Sequence, residues 1–161
     1  MASIDNTRTR FEVEQREWVR GELFQQLKSI LITAGLRSGI TKIVAFACST
    51  MTFITSEKLP SIAQHALVLM LRDLLTQQEN GAGQIKCYAQ DPIYTSIDEQ
   101  ILNEVGITVL DDPQGFIEVD EMSIVVSISP DIPVKQIIAD ITRPAVLIWD
   151  NGSKERFSYS R

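Results

Sequence analysis

The chain has 161 residues, 44% of them hydrophobic and 22% charged, and a net charge of −6. This length and composition predict one globular domain that buries roughly 70% of its unfolded surface without needing disulfides or metals. The acidic excess argues against a nucleic-acid partner, because binding to phosphates relies on clustered Lys and Arg.

The amino terminus and the cysteines indicate the cell compartment in which the protein is expected. Residues 1–10 are polar, lack the apolar core of a signal peptide and are predicted to be flexible, and no apolar run has membrane-spanning length. Cys48 and Cys87 lie in or beside apolar runs without metal-ligand spacing, which favours reduced, buried thiols. We therefore expect a soluble protein of the cytoplasm or nucleus, with no membrane contact and no structural disulfide.

The first elements follow from the spacing of apolar residues. From about Phe11 to Ala34 they recur every three or four positions, which predicts one amphipathic helix that ends at Gly35. The apolar run Lys42–Ala47 predicts a buried strand, and a small polar loop follows it. A second helix is predicted over Pro60–Gln77, with the proline in its first turn.

The second half of the chain alternates between strand and helix patterns. Strands are predicted at Ile85–Ala89, Ile107–Leu110, Ser123–Ile128 and Ala145–Trp149, and helices at Ser96–Val105 and Val134–Asp140. Ser96 and Glu99 are the expected capping pair of the first of these helices. Residues 152–161 are predicted to be a polar tail.

The segment Asp111–Glu121 is rich in acidic residues. It is predicted to be a loop with a short helical turn that is held by Phe116, Ile117 and Val119. A metal site is the alternative, although the spacing of its carboxyl groups does not match a calcium loop.

Five apolar strands separated by helices predict an α/β protein, with residues 11–151 as a single domain. The leading topology is a Rossmann-like three-layer sandwich with a mainly parallel five-stranded sheet, because parallel strands need helices on both faces and right-handed crossovers. The strand Lys42–Ala47 is expected at or near the sheet centre, since its continuously apolar run must be covered on both sides.

A ligand site is predicted at the carboxyl edge of this sheet, where open α/β sheets bind ligands. The second strand ends in Asp91-Pro92, and further polar residues follow the other strands. The candidate ligand-binding residues are Cys48, Ser49, Thr50, His65, Asp91, Tyr94, Asp131 and Asp150.

Each candidate has a structural alternative. Asp91 is placed to bind a ribose but also suits a turn before proline. His65, the only histidine, is able to titrate near neutrality or to hydrogen-bond a neighbouring loop. Cys48 either has a thiol pKa that is lowered by a nearby helix amino end, or it is a small buried residue without a chemical role. Asp131 and Asp150 are expected at the ends of the fourth and fifth strands. There they either contribute carboxyl groups to the crevice or are ordinary turn residues.

The first helix also carries apolar residues outside its main stripe, namely Phe11, Val13, Trp18 and Phe24. Large exposed apolar groups mark contact sites, so a homodimer or a protein partner is predicted near Trp18. The alternative is that the helix buries both of its faces within its own domain.

Four segments carry a family resemblance: Gln64–Ala66, Cys87–Thr95, Gly115–Glu121 and Pro130–Ile137. They resemble the SRR-like domain, named after the plant trait "sensitivity to red light reduced", in its fungal form, from about Ile40 to Asn151. The resemblance implies a Rossmann-like fold. It also implies a family linked to circadian and light signalling in plants, and to haem metabolism or cytoskeletal regulation elsewhere, without an agreed reaction.

Two departures from the family pattern affect the expected cofactors. Ala45–Thr50 stands where many relatives have a glycine-rich turn, so side chains would crowd a dinucleotide pyrophosphate. Ser129-Pro130-Asp131 stands where relatives carry Pro-His-Cys, so a thiolate or imidazole ligand for haem or metal is missing. No cofactor and no metal are therefore predicted, and both haem and nucleotide binding are weakened.

The predicted function is a regulatory domain that binds a small molecule or a protein partner. The alternative is a small enzyme whose crevice joins Cys48, Ser49, His65, Asp91 and Asp131. The chain has no Ser-His-Asp order, phosphate loop or metal-ligand spacing. The case for an enzyme is therefore positional only, and no catalytic residue is assigned.

Overall fold

A computed structural model describes residues 3–33, 39–54, 59–78, 83–128, 132–150 and 157–160. Helices and strands alternate along most of it. In chain order they are α1 (Ile4–Trp18), α2 (Glu22–Thr33), β1 (Lys42–Phe46), α3 (Ser61–Gln78), β2 (Lys86–Gln90), α4 (Ser96–Glu104), β3 (Ile107–Val109), α5 (Gln114–Glu118), β4 (Ser123–Val126), α6 (Val134–Ile141), β5 (Val146–Asp150) and β6 (Phe157–Ser160).

The strands form one sheet in the order β3-β2-β1-β4-β5-β6. The first five strands in this order pair in parallel, and β6 pairs with β5 antiparallel. In β1, Val44 lies between Tyr88 of β2 and Val125 of β4. The predicted central position of the first strand is confirmed, because β1 is hydrogen-bonded on both sides and residues 43–46 are buried.

Two apolar clusters cover the two faces of the sheet. One joins Ile43 and Ala45 to residues of α1 to α4, including Leu67 and Ile101. The other joins alternate residues of the same strands, such as Val44 and Phe46, to Phe116 of α5 and Ile138 of α6. Successive strand residues point to opposite faces, so the chain builds three layers. The predicted Rossmann-like sandwich is confirmed.

The amino-terminal region differs from its prediction. Residues 4–10, predicted to belong to a flexible terminus, form the first turns of α1, whose amino end is capped by the Ser3 hydroxyl. The guanidinium of Arg8 makes two 2.9 Å hydrogen bonds to Glu104 of α4, which ties α1 to the domain. The single predicted helix is two helices, α1 and α2, separated at residues 19–21. Gly35, the predicted stop, lies outside the described residues.

Phe11 and Trp18 of α1 are buried in the domain's own core, with 1% and 5% of their surfaces exposed. A partner that docks at Trp18 would need the indole on the surface, and the indole is buried instead. Val13, Val19 and Ile32 remain exposed in this region. The predicted association is not tested by this packing, and it would have to use these residues instead.

The other differences are small. The boundaries of the remaining predicted elements shift by one or two residues at most. Thr95 and Asp98, rather than Ser96 and Glu99, form the capping box of α4. Within the predicted polar tail, residues 157–160 form β6. In the acidic segment α5 is present and Phe116 and Val119 are buried, but Ile117 is 64% exposed, so it does not hold the turn.

No helix in the described part of the chain is long and apolar enough to cross a bilayer.

Candidate functional site

A cavity of about 370 Å³ opens at the carboxyl edge of the sheet. The ends of β1 and β2 supply most of its wall, through Phe46, Ala47, Ser49, Gln90, Asp91 and Ile93. Gln64 of α3, Asp112 before α5 and Ile132 before α6 complete it, together with Pro92.

The position of the cavity follows from the strand order. From β1 the chain moves to β2 and β3 on one side, and then crosses to β4 and β5 on the other. The connections after β1 and β4 therefore leave the sheet in opposite directions and open a crevice, which is where α/β sheets of this type bind ligands.

The loop after β1 is held in an uncommon conformation. Ala47 and Ser49 have φ angles of 55° and 64°, a left-handed region that side chains other than glycine rarely adopt. The Ser49 N–H donates to Asp91 Oδ2 at 2.8 Å, and the Met51 N–H donates to Asp98 Oδ1 at 2.8 Å. Two carboxyl groups from other elements thus fix the path of this loop beside the cavity.

Asp98 joins this loop to α4. Its Oδ2 accepts hydrogen bonds from the hydroxyls of Thr50 and Thr95 and from the Thr95 N–H, while Oδ1 accepts from Met51. The side chain is fully buried. A buried carboxyl group with several hydrogen-bond partners favours one arrangement of the loop and α4, because its removal would leave the buried Met51 N–H without a partner.

Gln64 is the buried amide of the cavity wall, with 2% of its surface exposed. Its Nε2 donates to the Leu59 carbonyl at 2.9 Å, which fixes the orientation of the amide. Its Oε1 has no hydrogen-bond partner among the described residues. Buried polar atoms are nearly always paired, so this oxygen lacks the donor that a buried acceptor usually has.

On the opposite side of the cavity, Gln90 binds the segment that leads into α5. Its Oε1 accepts from the Gly115 N–H at 2.6 Å, and its Nε2 donates to Asp112 Oδ1 at 3.0 Å. A Cβ on Gly115 would lie 2.6 Å from Gln90 Oε1 and 2.9 Å from the Phe46 ring. Only glycine therefore lets α5 approach the strand ends this closely.

Beneath the loop lies a buried chain of polar side chains. His65 Nδ1 is 2.7 Å from the Ser61 carbonyl, an acceptor, so this nitrogen carries the proton. His65 Nε2, at 2.7 Å, then accepts from the Tyr94 hydroxyl. Burial lowers the pKa of His65 to about 4. The ring is neutral at physiological pH, which contradicts the alternative of titration near neutrality. The hydrogen bond to Tyr94, in the loop between β2 and α4, agrees with the other alternative.

Cys48 is also unreactive in this setting. Its side chain is fully buried, and burial, with the nearby carboxyl group of Asp91 as a second cause, raises the pKa of its thiol to about 12. The thiolate is the nucleophilic form of cysteine. A lowered thiol pKa is thus excluded here, and the alternative of a small buried residue is what the structure shows.

The structure brings only part of the predicted site together. Ser49 and Asp91 line the cavity, whereas Cys48, Thr50, His65 and Tyr94 do not. Asp150 ends β5 but does not line the cavity. Asp131 lies outside the described residues, so its predicted position in the crevice is not tested.

The sequence reasoning missed Gln64, Gln90, Asp98 and Asp112. Gln90 had a signal, since it is a polar residue at the end of an apolar strand, directly before Asp91. Asp98 also had one, because Thr95 stands three residues before it in capping-box spacing. Gln64 and Asp112 had none, since only the packing of separate segments brings them to the cavity.

The charged side chains of the cavity wall are all acidic. Asp91 and Asp112 contribute carboxyl groups, and the described lining residues include no Lys or Arg. In the described part of the chain, no group of three or more His, Cys, Asp or Glu side chains could hold a metal ion.

The sequence model of the SRR1 domain family matches residues 21–157. No curated protein and no solved structure matches the chain significantly. The matched range includes every element that borders the cavity. It does not distinguish types within the family, so the fungal type stays a prediction.

Proposed function

The chain belongs to the SRR1 domain family, and from this premise we propose that it is a regulatory domain whose carboxyl-edge cavity binds a small molecule. The observation that carries the proposal is the cavity of about 370 Å³ at the point where the strand order reverses. Small-molecule sites have volumes of roughly 300–1,000 Å³, apolar walls and a few placed polar groups. This cavity combines Phe46, Ile93 and Ile132 with the polar groups of Gln64, Gln90 and Asp91.

Binding is favoured over catalysis because the reactive side chains are buried in unreactive forms. Cys48 remains a thiol, and both ring nitrogens of His65 have hydrogen-bond partners. A nucleophile and a base have to reach the substrate in an active protonation state. Neither residue lines the cavity, which leaves the enzyme alternative without Cys48 and His65.

The proposed location and signalling role rest on the cysteines and on the family resemblance. Two buried free cysteines suit a reducing compartment, so we place the protein in the cytoplasm or nucleus. The family resemblance is the support for a link to light, circadian or other signalling. No resident cofactor is proposed, since Ala45–Thr50 replaces the family's glycine-rich turn and Ser129-Pro130-Asp131 replaces its Pro-His-Cys.

A thermal-shift screen of the full chain tests the binding proposal, with nucleosides, nucleotides, S-adenosylmethionine, haem and small amides and amines as probes. A compound that binds only the folded state stabilises it, by about 2.7 kcal/mol at one hundred times its Kd. We expect at least one compound to raise the Tm. We expect Ile93→Trp, which places an indole in the cavity mouth, to abolish that shift.

Ile141→Trp is the matched control, because Ile141 is similarly exposed but lies at the other end of α6, away from the cavity. It should leave the shift unchanged. A screen without a single shift, or shifts that Ile93→Trp leaves intact, would contradict the proposed site.

A further inference from the structure

We propose that the ligand of this cavity presents N–H or O–H donors, is uncharged or positively charged, and carries no phosphate. The inference rests on the proposed function and specifies its ligand class. Three features of the cavity wall support it. The loop N–H groups already have hydrogen-bond partners, one amide oxygen has none, and the charged lining residues are all acidic.

The first feature concerns the loop after β1, where dinucleotide-binding folds hold a phosphate on backbone N–H groups. Here the Ser49 N–H is already bound by Asp91, and the Met51 N–H is already bound by Asp98. The protein's own carboxyl groups take the place of an external anion. A phosphate would have to displace Asp91 and leave its carboxyl group facing the incoming negative charge.

The second feature is the amide of Gln64. Because Nε2 is committed to the Leu59 carbonyl, the atom left without a partner is an acceptor, Oε1. The oxygen itself is covered by its neighbours, so a ligand reaches it only when the wall side chains shift. An acceptor pairs only with a donor, so a ligand group that does reach it has to be an N–H or O–H. Pairing it would also remove the cost of a buried unsatisfied oxygen.

The third feature is the charge of the wall. Asp91 and Asp112 line the cavity, and no Lys or Arg is among its described lining residues. In the hydrogen bonds of the described residues, Asp112 uses only Oδ1, which leaves Oδ2 for a ligand donor. Two carboxyl groups beside the same cavity repel an anionic ligand and attract a cationic one.

Three probes of nearly the same shape test the inference: benzamide, benzamidine and benzoate, which are neutral, positive and negative. Their binding to the full chain is measured by saturation-transfer NMR and titration, with adenosine and AMP as a second pair. We expect benzamide, benzamidine and adenosine to bind at least about tenfold more tightly than their anionic counterparts. Ile93→Trp should abolish this binding, and Ile141→Trp should not.

Gln64→Met removes the unpartnered acceptor at similar volume. We expect it to weaken benzamide by roughly threefold to tenfold, which corresponds to one hydrogen bond. Asp112→Asn keeps an oxygen for Gln90 but removes a charge, so it should reduce the preference for benzamidine over benzoate severalfold. Asp111→Asn is its control, because Asp111 is an exposed neighbour that does not line the cavity.

The failures of the two proposals are distinguishable. Anionic probes that bind as tightly as their neutral counterparts, and are blocked by Ile93→Trp, would overturn the ligand class and leave the site standing. A preference that survives both Gln64→Met and Asp112→Asn would also overturn it, since the named groups would not be its cause. If no probe binds while the broader screen finds only nucleotides or haem, which are anionic, as ligands blocked by Ile93→Trp, the ligand class alone fails.

Discussion

Asp98 is a single residue on which two segments of the site wall depend. Its carboxyl group caps α4 at Thr95 and also holds the Met51 N–H and the Thr50 hydroxyl of the loop after β1. The residue is fully buried, so water does not readily replace its hydrogen bonds when the side chain is removed.

We predict that Asp98→Ala lowers the free energy of unfolding by about 3 kcal/mol, because it breaks a buried hydrogen-bond network and a helix cap together. Urea unfolding followed by circular dichroism measures the loss. Glu99→Ala, an exposed acidic neighbour in the same turn, should change stability by less than about 0.5 kcal/mol. Equal urea midpoints for the two variants would contradict the role of Asp98.

His65 predicts a pH dependence of stability. Its pKa is about 4 in the folded chain, against 6.5 when unperturbed, because burial disfavours the charged ring. Between these values the unfolded chain binds a proton that the folded chain does not, so stability falls as the pH is lowered from 6.5 toward 4. From pH 7 to pH 5 we expect a loss of roughly 2 kcal/mol.

Urea unfolding at pH 7 and pH 5 checks this expectation, and both values lie above the ordinary pKa range of carboxyl groups. A His65→Gln variant lacks the titrating ring and should show a much flatter pH dependence. If the wild-type chain is equally stable at both pH values, or if the variant keeps the same slope, His65 is not the cause.

At the scale of elements, the contact between α5 and the strand ends depends on Gly115. A methyl group there would lie within 3 Å of both the Gln90 amide and the Phe46 ring, which stacks on Phe116 at 4.5 Å between ring centroids. These side chains are buried and have little room to move.

We therefore predict that Gly115→Ala destabilises the fold by about 1–3 kcal/mol, the usual cost of overpacking. Gly21→Ala is the matched control, because its Cβ would meet no atom closer than 3.5 Å. Thermal or urea unfolding of the two variants compares them. A Gly115→Ala variant as stable as Gly21→Ala would show that α5 can withdraw from the sheet without loss.

The helices and strands themselves were largely predictable. Strands such as Lys42–Phe46 are short apolar runs, and their burial on both faces leaves little choice of conformation. The break between α1 and α2 was missed because both helices have compatible apolar spacing, although Gly21 was available as a signal. β6 was missed although Phe157–Ser160 alternates aromatic and polar residues, because the segment is short and its pairing with β5 was not foreseen.

At the scale of the whole molecule, we keep the prediction that the amino-terminal helices mediate association, and we move it to Val13, Val19 and Ile32. These residues are exposed, whereas Trp18 belongs to the core. Light scattering over a concentration series should give a mass that rises above that of one chain. Val19→Glu should lower that mass at each concentration, because it introduces a charge into an apolar contact.

Ile141→Glu is the control, because it adds the same charge to an exposed apolar residue on α6, far along the chain from α1 and α2. It should leave the mass unchanged. A mass of one chain, 18.1 kDa, at all concentrations would remove the support for association.

The sequence by itself determined the three-layer fold, the central position of β1 and the edge of the sheet at which the cavity opens. These follow from local periodicity and from the geometry of parallel sheets, both of which are properties of short segments. Only the tertiary structure decided which polar groups face the cavity. Gln64, Gln90 and Asp112 come from three separate segments, and Cys48 and His65 were withdrawn from reactivity by burial. Burial and contact depend on how distant segments pack, which no short stretch of sequence specifies.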